Sequence, residues 1–267
     1  MTQIPGRLSL LQITDMHILP RPEDTLLGIN TNYYFNAVLA AAFAERPHYD
    51  LILLTGDLAQ EPCPASYQQI LNSLLPYQTH CVCLPGNHDD YSLMQQVLNT
   101  DQISCNKQVF IGNWQLICLN SQIPGSPGGR LANEELIFLE QCLTDNPDVP
   151  TLIAFHHHCL ETNSTWMDTM TITNSQAFFS IIKNYSQIKA ITTGHIHQVM
   201  DTTINTIRVF GTPSTCFQFK PKSRDFGLDT IGPGYRTLDL YNDGRIESTV
   251  IRLQEPLKGL QLNSQGY

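Results

Sequence analysis

The sequence predicts an α/β protein with two sheets. Short apolar runs of strand length alternate with segments of helical spacing, the alternation resumes after a turn-rich stretch, and the tail is rich in β-branched and turn residues. The 267 residues are 42% hydrophobic and 15% charged, so the chain can bury a sizeable core, which excludes intrinsic disorder. With no internal repeat and no Pro-, Gly- or Ser-rich linker, we expect one domain over residues 1–267.

The first half of the chain predicts three strand and helix units in succession. Apolar runs predict strands at 8–14, 51–55 and 80–84. Helical periodicity predicts helices at 30–45, 65–75 and 91–98. Because a helix separates each strand from the next, we expect the strands to pair in parallel.

The second half begins differently and then returns to the same pattern. Short strands are expected at 109–111 and 115–119, before the turn-rich segment Pro124–Gly129. Helices at 133–142 and 176–183 and strands at 151–155 and 188–192 follow. In the tail, Asn242-Asp243-Gly244 predicts a hairpin turn.

Charge and composition exclude several classes of partner. The net charge of −9 leaves no positive excess to hold a nucleic acid, and no apolar run approaches the roughly 20 residues of a membrane helix. Eight cysteines are spread along the chain without a Cys-x-x-Cys pair, which is typical of reduced thiols. We expect a soluble, cytoplasmic protein without a membrane, nucleic-acid or obligate protein partner.

Short polar clusters follow five of the predicted strands. The clusters are Asp15-Met16-His17, Gly56-Asp57, Gly86-Asn87-His88-Asp89, His156-His157-His158 and Gly194-His195-Ile196-His197. Because the carboxyl ends of strands form the ligand crevice of open α/β sheets, we expect the five clusters to meet there. Gly-Asp or Asp-x-His alone is common as a turn or cap, but chance rarely places such an ordered set at strand ends.

The residue types in these clusters point to a metal site. Carboxylates, an amide and imidazoles suit divalent Fe, Mn or Zn, and the absence of thiolates disfavours a closed structural zinc site. Seven candidate ligands are too many for one ion with an open position. They fit two ions that share a carboxylate, the arrangement that clamps the attacking and leaving oxygens in phosphoryl displacement.

The ordered set Asp-x-His, Gly-Asp, Gly-Asn-His-Asp, His and Gly-His-x-His resembles the calcineurin-like metallophosphoesterase superfamily. Further segments resemble the bacterial class III 3′,5′-cyclic AMP phosphodiesterases. These segments are Leu11–Asp15, Leu26–Gly28, Thr55–Gln60, Thr212–Cys216, Gln218–Pro221, Leu228–Ile231 and Pro233–Leu238. The likeness runs from about Leu8 to Arg252, and its tail segments are more specific than the metal motifs.

The resemblance implies a four-layer α/β/β/α sandwich of two mixed sheets, in which residues 212–252 complete the second sheet and cover the site. It also implies hydrolysis of 3′,5′-cyclic AMP to 5′-AMP at two divalent ions, Fe²⁺ or Mn²⁺ foremost, with Zn²⁺ as an alternative. The implied metal ligands are Asp15, His17, Asp57, Asn87, His156, His195 and His197, with Asp57 bridging the ions.

The implied catalytic residue is His88, which stands free of the metals and faces the phosphate, while Asp89 orients its ring or caps the next helix. The implied substrate contacts are His17, Asp57, Asn87, His88, His156 and His197. The metal motifs do not choose among substrates. A broader phosphodiesterase or phosphomonoesterase, acting on 2′,3′-cyclic nucleotides or other esters, therefore stays open, as does a non-catalytic scaffold.

Some residues allow two interpretations. The superfamily's commoner form is His-His-Pro, whereas His158 and Cys159 follow here, so we choose His156 as the ligand because it aligns through the flanking Phe155. His157 and His158 then support the ligands or belong to the core. Trp166 either stacks on adenine or packs under its loop. The cluster of Lys220, Lys222 and Arg224 either attracts the anionic substrate or is ordinary solvated surface.

Overall fold

The computed structural model describes residues 6–266. The strands are β1 (Arg7–Ile13), β2 (Leu51–Thr55), β3 (Cys81–Leu84), β4 (Ile103–Ser104), β5 (Gln108–Ile111), β6 (Trp114–Cys118), β7 (Thr151–Ala154), β8 (Ile188–Thr193), β9 (Met200–Ile204), β10 (Ile207–Gly211), β11 (Gln218–Phe219), β12 (Leu228–Asp229), β13 (Gly234–Tyr241) and β14 (Ile246–Arg252). The helices are α1 (Thr31–Glu45), α2 (Pro64–Leu74), α3 (Tyr91–Leu98), α4 (Asn133–Asp145), α5 (Thr165–Asp168) and α6 (Ser175–Ile182), with a 3₁₀ turn at Leu75–Tyr77.

The described strands form two mixed six-stranded sheets and one small hairpin sheet. The first sheet has the order β14-β13-β1-β2-β3-β4, and the second has the order β5-β6-β7-β8-β10-β9. Strands β1 to β4 are parallel, as are β6, β7, β8 and β10, while β13, β14, β5 and β9 run antiparallel to their neighbours. The crossover helices explain the parallel cores of both sheets.

The side chains of the strands alternate between two hydrophobic layers. Leu10 and Leu53 pack in a cluster between the two sheets, whereas Leu11 and Leu54 pack in a cluster with α1, α2 and α3. A third cluster joins the second sheet to α4 and α6. Because successive strand residues face opposite sides, each sheet is covered on both faces, which confirms the four-layer α/β/β/α prediction. None of the helices among the described residues is long and apolar enough to span a membrane.

The tail segment occupies a different sheet from the one expected. Strand β13 pairs antiparallel with β1, from Arg7 opposite Tyr241 to Gln12 opposite Arg236, so this part of the tail extends the first sheet rather than the second. The reason is that β2 covers only one edge of β1, and β13 satisfies the backbone groups of the other edge. The predicted hairpin turn around Gly244 does connect β13 to β14. The single-domain organisation stays a prediction.

Candidate metal centre

Polar clusters from both sheets converge at the carboxyl ends of their parallel strands. The ligand atoms lie within 4.8 Å of one another in three groups, namely Asp15/His17/His197, His17/Asp57/His88 and Asp57/His156/His195. Asn87 is not in these groups but lines the same cavity as His88 and His195. The structure therefore brings the eight residues of the implied site together, and their assignment to individual ions stays a prediction.

The Asp57 carboxylate lies between ligand atoms from the two sheets. Its Oδ2 is 3.3 Å from Nε2 of His156 and 3.8 Å from Nε2 of His17. Its Oδ1 accepts a hydrogen bond of 2.9 Å from the backbone N–H of His88. On the other side of the centre, Nε2 of His197 is 3.4 Å from Oδ1 of Asp15. A carboxylate in the position of Asp57 is suited to contact two cations at once.

Three histidine rings are oriented by acceptors at their outer nitrogens. Nδ1 of His17 lies 2.7 Å from Oε1 of Gln60, Nδ1 of His156 lies 2.8 Å from the carbonyl oxygen of Thr55, and Nδ1 of His197 lies 2.8 Å from that of Phe217. Because carbonyl oxygens only accept, Nδ1 carries a proton, and in the neutral form of each ring Nε2 presents its lone pair to the centre. Metal-binding histidines are typically held this way.

The backbone is strained at most of these positions. Asp15, His17, Asp57, His195 and His197 have φ values of 53°, 48°, 49°, 68° and 44°. Non-glycine residues rarely occupy this left-handed region, and each such residue costs about 1–3 kcal/mol. Five strained residues in one cluster indicate that their side-chain positions matter for function.

Two glycines allow these loops to approach each other. A Cβ atom at Gly86 would overlap the Asp57 carboxylate, and one at Gly56, where φ is +92°, would overlap the ring of His156. Any larger residue at either position would push the clusters apart.

Burial and neighbouring charges determine the protonation of the histidines. Burial lowers the pKa of His17 to about 3, against the attraction of Asp57. At His156 burial acts in the same direction, but the Asp57 carboxylate outweighs it and raises the pKa to about 9, so this ring must release its Nε2 proton to bind a cation. Burial also lowers the pKa of His195 well below its usual value. His17 and His195 are therefore neutral imidazoles near pH 7, the form that binds metal ions.

The donor set fits divalent cations. If Nδ1 donates in both rings, the Nε2 lone pairs of His17 and His197 face each other at 3.2 Å, an arrangement that a nearby cation stabilises. Nε2 of His195 and Oδ1 of Asn87 are buried without a hydrogen-bond partner among residues 6–266. Buried polar atoms of this kind are costly unless an ion or water satisfies them.

Asp89 holds two of the ligand loops together rather than capping a helix. Its carboxylate accepts hydrogen bonds from the backbone N–H groups of Gly86, Leu58 and Ala59 and from the hydroxyl of Tyr67. The cap of α3 is Asp90, whose side chain accepts from Leu93 N–H. Asp89 thus joins the loop after β2 to the loop after β3.

The tail also supports the centre. The hydroxyl of Ser214 donates to the carbonyl oxygen of Asp15 at 2.8 Å. The backbone N–H of Thr215 donates to the carbonyl oxygen of Thr14 at 3.3 Å. The Phe217 carbonyl also accepts from His197. The segment from Ser214 to Phe217 therefore supports both the strained loop that carries Asp15 and the ring of His197.

The remaining histidines of the triplet are buried next to the centre. Nδ1 of His157 lies 2.8 Å from Oγ of Ser121, and its ring centroid is 4.7 Å from that of His195. Nε2 of His158 is 3.7 Å from Oδ1 of Asp168. Both rings pack around His195 and restrict its orientation.

A cavity of about 270 Å³ opens beside the centre. Asn87, His88 and His195 line its metal end. The remaining lining residues are Pro127, Trp166, Met167, Met170, Phe219, Phe226, Gln265 and Gly266. Trp166 belongs to the wall of this cavity and also packs edge to face against Phe219, with ring centroids 4.9 Å apart, so features of both interpretations of Trp166 are present.

The basic cluster lies next to the same cavity. Lys220, Lys222 and Arg224 are exposed on the loop between β11 and β12, and this loop also carries Phe226.

Comparisons with known proteins give consistent results. A family model described as calcineurin-like phosphoesterase matches residues 8–199. A 3′,5′-cyclic adenosine monophosphate phosphodiesterase of Vibrio vulnificus is 42% identical over 97% of this chain and 95% of that protein. A 3′,5′-cyclic-nucleotide phosphodiesterase of Nostoc sp. is 39% identical over 92% of each chain. In fold, a dimetal phosphatase from Danio rerio has a TM-score of 0.60 at 13% identity, covering 92% of this chain and 98% of that one.

Proposed function

Because the chain belongs to the calcineurin-like phosphoesterase family, we propose that it hydrolyses 3′,5′-cyclic AMP to 5′-AMP at the centre described above. The observation that carries this proposal is the 42% identity, over nearly the full length of both chains, to a protein of that activity. The cavity beside the centre supports it, because aromatic and methionine walls suit a nucleobase while the histidine end suits a phosphate.

The proposal includes two divalent ions, with Fe²⁺ or Mn²⁺ favoured because the donors are imidazoles, carboxylates and an amide. Asp15, His17 and His197 would hold one ion, Asn87, His156 and His195 the other, and Asp57 both. Such ions supply positive charge for the phosphate oxygens and lower the pKa of a water molecule. This charge explains how a chain of net charge −9 can bind an anion.

The residues of the chain orient the ester and move the proton. Asn87 and His88 are half-buried at the metal end of the cavity, where a bound phosphate would contact them. As water adds to phosphorus, the bond from phosphorus to the 3′-oxygen breaks, and His88 donates a proton to that oxygen. The phosphate therefore stays on the 5′-carbon. The proton that the water loses then restores the protonated form of His88.

A substrate panel tests the proposal. The purified chain, loaded with Mn²⁺ or Fe²⁺, is given 3′,5′-cyclic AMP, 3′,5′-cyclic GMP, 2′,3′-cyclic AMP, 4-nitrophenyl phosphate and bis(4-nitrophenyl) phosphate. We expect the highest kcat/KM on 3′,5′-cyclic AMP, with 5′-AMP as the product by chromatography. A preference for 2′,3′-cyclic AMP or for the monoester would contradict the proposed substrate, and no turnover of any ester would favour a non-catalytic scaffold.

A second candidate is a phosphodiesterase that accepts several 3′,5′-cyclic nucleotides. The Nostoc relative favours it, because that protein is described by the wider class of cyclic nucleotides. Similar kcat/KM values for cyclic AMP and cyclic GMP in the panel would support this candidate.

The proposal also places the enzyme in the cytoplasm, acting without an obligate protein partner. All eight cysteines are free thiols, which fits a reducing compartment. Fractionation of cells that produce the protein, with activity assayed in each fraction, tests the location.

A further inference from the structure

The segment 253–266 is fixed to the surface near the centre by specific contacts. The hydroxyl of Tyr34 accepts a hydrogen bond of 2.8 Å from Lys258 N–H and donates one of 3.3 Å to the carbonyl oxygen of Pro256. The backbone N–H of Gln261 donates to the carbonyl oxygen of Leu27 at 3.0 Å. These bonds join the segment to α1 and to the loop before it.

Two glycines allow this segment to dock closely. Gly28 and Gly259 lie backbone against backbone with φ values of +82° and +90°, and a Cβ atom on either one would overlap the other's carbonyl group. Leu257 and Leu260 pack against the buried cluster that contains Met167 and Phe219, two residues of the cavity wall. The segment is therefore anchored on both sides of the glycine contact.

The docked segment carries Gln265 and Gly266 to the cavity. Away from the metal end, the described lining residues other than Gln265 are aromatic, methionine, proline or glycine residues. Among the described residues of that wall, Gln265 is the one with a side-chain amide. A nucleobase has hydrogen-bonding groups along its edge, and rings alone cannot distinguish one base from another.

We propose that Gln265 is a specificity-determining residue that hydrogen-bonds the edge of the purine base of the substrate. This inference rests on the proposed function. A primary amide presents an N–H donor beside a carbonyl acceptor, and this pair matches the ring nitrogen and the amino group of adenine. Its contribution is to base selection, since Gln265 lines the cavity but is not one of the implied metal ligands.

Gln265→Glu is the sharpest test, because it replaces the donor by a second acceptor. A carboxylate repels the lone pair of the adenine ring nitrogen but accepts from the two adjacent N–H groups of guanine. We expect the ratio of kcat/KM for cyclic AMP to that for cyclic GMP to fall about tenfold. Taking the ratio cancels the general repulsion between the new charge and either phosphate.

Gln254→Glu is the matched control, because Gln254 is an exposed glutamine of the same segment that does not line the cavity. It should leave the ratio as in the wild type. An unchanged ratio in Gln265→Glu, or an equal fall in Gln254→Glu, would overturn the role of Gln265 while the wild-type activity on cyclic AMP stands. A wild type that does not hydrolyse cyclic AMP would overturn the proposed function and this inference together.

A second variant tests whether docking of the segment delivers Gln265. Gly259→Ala forces the segment away from Gly28, so in this background Gln265→Glu should change the ratio by much less than about tenfold. A full effect of Gln265→Glu in the Gly259→Ala background would show that the docked position is not what matters. Folding of each variant is checked by its thermal unfolding midpoint.

Discussion

The two ends of the active-site cavity are built differently. At the metal end, buried side chains follow strand ends of both sheets, on a strained backbone, with ring orientations fixed by Gln60 and main-chain carbonyls. At the other end, Trp166 comes from the short helix α5, Phe226 from the loop between β11 and β12, and Gln265 from the segment 253–266, and all three are at least partly exposed. The difference teaches that the proposed chemistry and the proposed base selection rest on separate parts of the chain, so we expect that the two can be changed separately.

Asp57→Asn should have the largest effect and would break the metal end. Asparagine keeps the size of the side chain but removes the negative charge between the proposed ions. We expect at least one ion per chain to be lost and cyclic AMP turnover to become undetectable, as measured by metal analysis and product chromatography. Asp101→Asn, at an exposed site, is the control. Two ions retained in Asp57→Asn would contradict the bridging role.

His88→Ala should separate chemistry from metal binding at the same end. Loss of a general acid lowers turnover by roughly 10² to 10⁴. Bis(4-nitrophenyl) phosphate should lose less, because its leaving group needs little protonation. Metal analysis should still find two ions, as in the exposed control His80→Ala. An ion missing from His88→Ala would instead make His88 a ligand, which its proximity to His17 and Asp57 also allows.

Gln60→Met should lower the affinity for metal ions, although Gln60 is not one of the implied ligands. It removes the acceptor at Nδ1 of His17, so the ring is no longer held in one orientation. Loss of such a partner lowers metal affinity by about 10- to 100-fold. Titration of the metal-free protein with Mn²⁺ measures this affinity, with the exposed Gln96→Met as the control. An affinity equal to that of the control would show that Gln60 does not position the ligand.

Trp166→Ala should affect only the end of the cavity that is proposed to bind the nucleobase. Stacking on an aromatic ring contributes about 1–3 kcal/mol per base, so KM for cyclic AMP should rise about tenfold while kcat changes little. KM for bis(4-nitrophenyl) phosphate should change less, because that ester has no nucleoside. Phe110→Ala, an exposed aromatic residue on β5, is the control. Equal changes on both esters would mean that Trp166 only supports the loop.

Asp239→Asn should have the smallest effect and lies outside both ends. Burial would raise the pKa of Asp239, but hydrogen bonds from Arg46 at 2.6 Å and Ser9 at 2.5 Å outweigh burial and lower it. The charged form therefore stabilises the fold above the unfolded-state pKa of about 3.9, and this stability is lost as the pH falls through the lower folded-state pKa.

For Asp239→Asn we expect a loss of about 1 kcal/mol in the free energy of unfolding at pH 7, measured with urea. The difference from the wild type should shrink below about pH 4. A difference that does not depend on pH would assign the effect to packing. Cyclic AMP turnover by the folded variant should match the wild type, since neither Asp239 nor Arg46 lines the cavity.

Local patterns were enough to predict most elements and the polar clusters at the strand ends. Strands β2 and β3 are almost wholly apolar because both of their faces are buried, and β1 is mostly so. A polar residue shortly after such a strand lies at the carboxyl end of the sheet. The positions of Asp15, Asp57 and His88 follow from this rule. The distances from these three residues to residues of the second sheet do not follow from the rule, because the packing of one sheet on the other does not depend on any single segment.

The amino-acid sequence by itself determined the α/β class, the positions of the strand ends and the polar side chains placed there, because these depend on neighbours within a few residues. Only the tertiary structure decided that β13 lies beside β1, that the Phe217 carbonyl orients His197, and that Gln265 reaches the cavity. Each of these contacts joins residues distant in the chain or depends on a main-chain carbonyl, which every residue carries. A pattern of side chains along the sequence therefore cannot predict these contacts. The partner of each residue is fixed only in the folded chain.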